Sequence, residues 1–196
     1  MLIAAAKRSL GAVELRLGNF DHSEELLKDV LKTSAEFASD DYGVYSQGFA
    51  QYGLGDLEYE RGNITSAKEW YQKALDTWRD PVRKDPVRHI SYALNGLGFV
   101  ALKEKRYEAA NRYFTEGIQS AEEFGRVDEL AKGQFGLASA FLETGMGLKT
   151  ALILVTEAIE SFQKQGMQYE IQKCQALQEK ILNARSQSIT PDQQNG

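Results

Sequence analysis

The stretch that decides the fold is YALNGLGFVALKEKRYEAANRYF at residues 92–114. A leucine-glycine pair ends at Gly98, a small residue follows 12 positions later at Ala110, and the bulky Phe114 comes four positions after that. The same order with the same gap occurs twice earlier in the chain. The earlier copies consist of Leu10-Gly11, Ser23 and Leu27, and of Leu54-Gly55, Ala67 and Tyr71. Three copies in register indicate a repeated structural unit.

Each position of the unit has a packing role in a pair of helices. Glycine on the first helix lets the second helix approach closely, the small residue on the second helix does the same, and the bulky residue fills the space between units. Gly18-Asn19 and Gly62-Asn63 supply the turn between the helices, because glycine tolerates the left-handed backbone that ends a helix. Lys105-Arg106 occupies that place in the third copy.

This pattern resembles the tetratricopeptide repeat, a helix-turn-helix unit with leucine-glycine, small, aromatic and small positions. The resemblance implies an all-α, right-handed superhelical solenoid of antiparallel helix pairs, with four repeats and a C-terminal capping helix. The repeats are long, because the leucine-glycine pairs are 44 and then 43 residues apart, whereas the usual period is about 34. The resemblance also implies a scaffold rather than an enzyme, with a peptide, a helix or a folded protein as its binding partner.

The expected boundaries follow from the repeat. Residues 1–185 form the repeat domain, with repeats at about 4–38, 41–80, 85–125 and 127–165, and a capping helix at 167–185. The fourth repeat is matched through Phe135-Gly136, which leaves 15 residues before the small Ala151 and suggests an extension around Gly145-Met146-Gly147. The polar residues 186–196 are expected to be a disordered tail.

Composition limits the classes of function. Hydrophobic residues make up 42% of the chain and charged residues 26%, which is usual for a globular protein. A net charge of −5 argues against nucleic acid as a partner. We expect a cytoplasmic protein without membrane insertion, because no apolar run is long enough for a span and the single cysteine, Cys174, cannot form an internal disulfide.

The resemblance nominates a partner-binding groove, since the first helix of each repeat lines the concave surface of such a solenoid. The predicted groove residues are Arg8, Phe49, Tyr52, Asp56, Tyr59, Tyr92, Asn95, Phe99, Leu102 and Phe141. Its middle is rich in aromatic side chains, which commonly anchor interfaces. For any one of these aromatics, the alternative that it belongs to the core between repeats stays open.

A second candidate site is a basic rim formed by Arg79, Arg83, Lys84 and Arg88. It could bind an anion or an acidic partner. The alternative is a linker that ends one helix and begins the next, because proline stops a helix and aspartate-proline opens one.

Catalysis has little support in the sequence. His22 and His89 lie in different repeats, and neither has a set of cysteine, histidine and carboxylate neighbours at metal-ligand spacing. We therefore expect no catalytic residue, no metal and no cofactor. Besides a binding scaffold, two alternatives remain: a regulatory or sensor arm of a larger signalling or transcription-control protein, and a homo-oligomeric assembly module.

Overall fold

The computed structural model describes residues 2–36, 41–80 and 86–189 of the chain. Within these residues the secondary structure is helical, with nine α-helices and one short 3₁₀ turn. The helices are α1 (Leu2–Arg16), α2 (Phe20–Ala35), α3 (Asp41–Glu60), α4 (Ile64–Trp78), α5 (Ile90–Lys103), α6 (Tyr107–Glu123), α7 (Val127–Thr144), α8 (Leu148–Lys164) and α9 (Gln168–Ile189), and the 3₁₀ turn is Pro86–His89. No helix among the described residues is long and apolar enough to cross a bilayer.

The helices stack as pairs in chain order. Each helix packs against the next one along the chain, and the odd-numbered helices α1, α3, α5, α7 and α9 also contact one another in succession. The even-numbered helices make their main contacts with odd-numbered ones. The odd-numbered helices therefore form the closely packed inner layer of a solenoid, as expected for the first helices of the repeats.

Three bulky side chains join consecutive pairs. Tyr71 on α4 lies between Gly55 on α3 and Gly96 on α5, and a Cβ atom added at either glycine would come within 2.6 Å of the tyrosine ring. Leu27 lies in the same way between Gly11 and Gly53, and Phe114 between Gly98 and Gly136. The glycines of the repeat are thus seats for a side chain of the second helix, which is the packing role that the sequence predicts.

These contacts correct the register of the fourth repeat. Gly136 receives Phe114 from the preceding pair, as Gly96 receives Tyr71, so Gly136 corresponds to Gly96 and not to Gly98. Ala138 then takes the place of Gly98, and the gap to the small residue Ala151 is 13 residues rather than 15. The extra residue lies at the end of α7, where Gly145 caps the helix with a left-handed backbone (φ 67°).

The turn between α5 and α6 uses a left-handed residue that is not glycine. Gly18 and Gly62 adopt φ values of 81° and 82° in the first two turns, and Lys105 adopts 57° at the matching place in the third. A residue with a Cβ atom pays about 1 kcal/mol for this conformation. The helix pair is therefore preserved at a small local cost.

Two helix ends differ from the sequence-based expectation. Helix α5 begins at Ile90, because Pro86–His89 forms a 3₁₀ turn in front of it. The expected disordered tail at 186–196 is wrong for its first four residues, since α9 continues to Ile189. The Ser186 hydroxyl donates a hydrogen bond to the Leu182 carbonyl within the helix, and the first helix-breaking residue beyond it is Pro191.

Candidate binding surface

A layer of aromatic side chains runs along the inner surface from α3 to α5. The ring centroid of Tyr92 lies 5.2 Å from that of Phe49 and 5.5 Å from that of Tyr52, both in edge-to-face arrangements. All three side chains are half-buried, and they pack above Trp78, which is fully buried. Each ring therefore packs against the core on one side and is exposed to solvent on the other.

A second group of aromatic side chains lies on α5 and α7. Phe99 contacts Phe114 at 5.0 Å between ring centroids and Phe135 at 6.3 Å. Leu102 packs against the same cluster of buried side chains. Aromatic side chains thus follow one another over α3, α5 and α7.

Basic side chains lie over several of these rings. The Arg8 guanidinium carbon is 4.6 Å from the ring centroid of Phe49, and the Lys132 ammonium nitrogen is 5.2 Å from that of Tyr52. The Lys103 nitrogen lies 5.9 Å from the ring centroid of Tyr59. The inner surface is therefore amphipathic, with cations stacked on aromatic faces.

A hydrogen-bond network connects three inner helices. The Lys132 ammonium group on α7 donates to the Tyr52 hydroxyl on α3 at 2.6 Å and lies 3.9 Å from the Glu129 carboxylate. Asn95 on α5 donates to the same carboxylate at 2.7 Å and to the Glu129 carbonyl at 2.9 Å. The network links residues that are up to 80 positions apart in sequence, and it joins the inner helices of repeats two, three and four.

The surroundings shift the pKa values of this network. Burial raises the pKa of the Glu129 carboxyl, although Lys132 and Asn95 act in the opposite direction. The pKa of Lys132 is also raised: burial lowers it, but the neighbouring carboxylates of Glu129 and Asp56 more than offset that effect. Burial raises the pKa of Tyr59 to about 12, and the charge of Glu60 adds to this shift. At neutral pH Lys132 is therefore a fixed cation and the tyrosines are neutral.

Asp56 contributes an acceptor on the same surface. The Tyr71 hydroxyl donates to its carboxylate at 2.7 Å. Asp128 lies near the other end of the network, with its carboxylate 3.5 Å from the Tyr92 hydroxyl. Tyrosine hydroxyl groups in this region thus lie next to carboxylates as well as next to the Lys132 ammonium group.

His89 occupies the edge of the aromatic layer. Its ring centroid lies 5.0 Å from those of Tyr45 and Phe49, and its Nδ1 atom is 3.4 Å from the Arg126 guanidinium. Burial lowers the pKa of His89 to about 4, and the charges of Arg126, Arg88 and Arg8 add to this effect. His89 is therefore a neutral, packed side chain at physiological pH.

Two of the predicted groove residues do not lie at the aromatic surface. Asn95 is fully buried, with its amide bound to Glu129, so it supports the surface from within. Phe141 packs with the cluster around α8 and α9, because the corrected register turns it away from the positions of Tyr59 and Leu102. The remaining predicted groove residues are half-buried on the inner helices: Arg8, Phe49, Tyr52, Asp56, Tyr59, Tyr92, Phe99 and Leu102.

The sequence-based prediction missed Lys132 and Phe135. With Ala138 aligned to Gly98, Lys132 occupies the position of Tyr92 and Phe135 that of Asn95. A fourth-repeat alignment on Ala138 would have identified both residues. The Phe135-Gly136 dipeptide led to a different alignment, because it resembles the leucine-glycine pair but lies two residues before the matching position.

The structure describes two residues of the predicted basic rim, Arg79 and Arg88. Arg79 forms an ion pair with Glu116 on α6, whereas the backbone carbonyl of Arg88 accepts a hydrogen bond from Arg126 beside the aromatic layer. Arg83 and Lys84 lie outside the described residues. Among the residues that the structure describes, no group of three or more histidine, cysteine, aspartate or glutamate side chains could hold a metal ion.

Comparison with known proteins gives a family match over part of the chain and a fold. The tetratricopeptide repeat family model matches residues 2–80. No curated protein matches the chain. Among solved structures, BtubC (BKLC) from P. vanneervenii is 17% identical with a TM-score of 0.61, and the match covers 92% of this chain and 79% of that one. A putative kinesin light chain from Podosopora anserina with nearly identical TPR-like repeats is 15% identical with a TM-score of 0.59, over 95% of this chain and 96% of that one. Residues 2–80 are thus similar to the tetratricopeptide repeat family, whose repeats generally serve as scaffolds for protein-protein interactions, and the solved structures share the helix-pair fold over more than nine-tenths of this chain.

Proposed function

We propose that the chain binds a segment of another protein along the inner surface of α3, α5 and α7. The observation that carries this proposal is the presence of half-buried aromatic side chains on all three inner helices: Phe49, Tyr52 and Tyr92 form one group of contacting rings, and Phe99 and Phe135 form another. Aromatic rings bring a large contact area with little side-chain freedom to lose, and they dominate the energetics of many interfaces.

The layer is also held in place before a partner arrives. The Lys132 network fixes the positions of α3 and α7 relative to each other, and the edge-to-face ring contacts restrict the rotamers of Tyr52 and Tyr92. A preorganised surface loses less conformational entropy on binding. A segment with aliphatic or aromatic side chains fits the rings, while its backbone and polar groups can meet Asp56, Asp128 and Lys132.

A selection from a random peptide library tests this proposal. We expect binders whose affinity falls about tenfold or more in the separate variants Tyr59→Ala and Tyr92→Ala, because each removes an aromatic contact. Tyr169→Ala is the matched control, since Tyr169 is an exposed tyrosine that lies on α9 and not on α3, α5 or α7. Circular dichroism checks that each variant keeps its helicity.

Two outcomes contradict the proposal. One is a set of binders whose affinity is the same for the wild type, Tyr59→Ala and Tyr92→Ala. The other is a set that is sensitive to Tyr169→Ala, because such binders would recognise a different surface.

A further inference from the structure

Helix α1 and the residue that follows it carry an exposed apolar stripe. The side chains of Ile3, Leu10, Val13 and Leu17 are 71%, 44%, 50% and 68% exposed, and Ala6 is exposed as well. These five positions are separated by three, four, three and four residues. This alternation is the spacing of the contact seam between two helices that pack side by side.

The repeat register shows that this stripe is a core-type surface. Leu10 corresponds to Leu54, and Val13 corresponds to Leu57. Leu54 and Leu57 are at most 2% exposed, because they pack with Leu27 of the preceding helix pair. The third repeat has the same buried pair at Leu97 and Val100. In α1 the matching face has no covering helix among the residues that the structure describes.

We propose that α1 of a second copy of this chain covers the stripe, with the two helices antiparallel about a twofold axis. The sizes of the side chains are self-complementary in this arrangement. Leu10 lies opposite the partner's Val13, and Leu17 opposite the partner's Ala6, so each layer combines a larger and a smaller side chain. Antiparallel helix pairs fill their seams well when large and small residues alternate across them.

Charge on the flank of the stripe favours the same orientation. Lys7 follows Ala6 and Glu14 follows Val13, so both lie along one edge of the seam. Antiparallel packing brings Lys7 toward the partner's Glu14, whereas parallel packing would place both residues opposite the other edge of the partner's seam, where this pair cannot form. Within the chain Lys7 also pairs with Asp29, and Glu14 accepts a hydrogen bond from Asn19 and lies near His22.

Sedimentation equilibrium from micromolar to near-millimolar concentration tests the dimer. The wild type should pass from monomer to dimer as its concentration rises, and a variant with both Leu10→Glu and Val13→Glu should dimerise at least about tenfold more weakly. Ile153→Glu is the matched control, since Ile153 is 51% exposed on α8. It should dimerise as the wild type does.

A charge-pairing experiment tests the orientation. Leu10→Lys and Val13→Glu should each weaken self-association, and an equimolar mixture of the two should form a heterodimer, because antiparallel packing places Lys at position 10 opposite Glu at position 13. Leu17→Glu, which lies just beyond the last residue of α1, provides a disrupting variant that leaves the helix interior unchanged.

The proposal is overturned if the wild type stays monomeric over the whole range, or if the double glutamate and Leu17→Glu variants both dimerise as strongly as the wild type. A mixture that fails to form the heterodimer while the wild type does dimerise would overturn the antiparallel arrangement.

Discussion

At the scale of single residues, the fold depends on glycines in the inner helices that leave space for a bulky side chain of a neighbouring helix. Gly55 and Gly96 leave room for the two faces of Tyr71, and the same pairing recurs around Leu27 and Phe114. A glycine in the middle of a helix costs up to about 1 kcal/mol in helix propensity relative to alanine. The close approach of the neighbouring helix is what offsets this cost.

Gly96→Ala should therefore destabilise the protein, although alanine is the better helix former. The added Cβ would lie 2.6 Å from two carbon atoms of the Tyr71 ring, and overpacking of this kind costs about 1–3 kcal/mol. Urea denaturation measures the loss. In a Tyr71→Leu background, Gly96→Ala should reduce the free energy of unfolding by less. If the effects of the two substitutions were fully additive, this would contradict the claim that Gly96 makes room for the Tyr71 ring.

His89 should make stability depend on pH. Its pKa is about 4 in the folded protein and close to 6.5 when unfolded, so between these values only the unfolded state binds the proton. Stability is therefore lost as the pH falls through this window, by about 1 kcal/mol between pH 7 and pH 5.5. The urea midpoint at the two pH values measures the effect.

The loss should be smaller in His89→Phe, which keeps an aromatic ring in the cluster. His22→Gln is the control, because His22 is an exposed histidine on α2, outside the aromatic cluster. An equal acid sensitivity of the wild type and His89→Phe would show that other groups cause it.

At the scale of helices, the inner layer is joined by polar groups as well as by packing. Lys132 on α7 reaches Tyr52 on α3, while Glu129 is bound by Asn95 on α5. Glu129 is only 4% exposed, so its charge depends on the nearby ammonium group. The network therefore fixes how far the inner helices can separate.

Lys132→Met should cost roughly 2–3 kcal/mol at neutral pH, because it leaves the buried Glu129 carboxylate without a cation. The double variant Lys132→Met with Glu129→Gln should recover part of this loss, since the charge that needs a partner is gone. Chemical denaturation of the wild type, both single variants and the double variant provides the cycle. A double variant that is less stable than Lys132→Met would contradict the role assigned to this pair.

The helix pairs could be predicted from sequence because the glycines and the bulky residues that pack on them repeat at fixed spacing. The fourth register could not be read from the dipeptide Phe135-Gly136, since a glycine may face either the preceding pair or its own partner helix, and only the contact with Phe114 decides. The burial of Asn95 was also hidden, because it depends on Glu129, which lies 34 residues further along the chain.

At the scale of the whole molecule, the solenoid places corresponding positions of successive inner helices beside one another. Positions 49, 92 and 132 are equivalent in the repeat, and they carry Phe, Tyr and Lys. Sequence predicted the first two as surface residues of a groove, while the cation that stacks on Tyr52 emerges only from the packing of α7 against α5. Aromatic rings and charged groups therefore lie side by side on the inner helices, and this is the part of the surface proposed to bind a partner.

The most direct measurement is an NMR titration of protein labelled with ¹³C in its aromatic rings, using a peptide obtained from the library selection. We expect the ring signals of Tyr52, Tyr59, Tyr92 and Phe99 to shift together and to saturate with one dissociation constant, while the signal of Tyr169 stays in place. Saturable shifts at Tyr169, with unchanged signals from the four inner rings, would contradict this expectation.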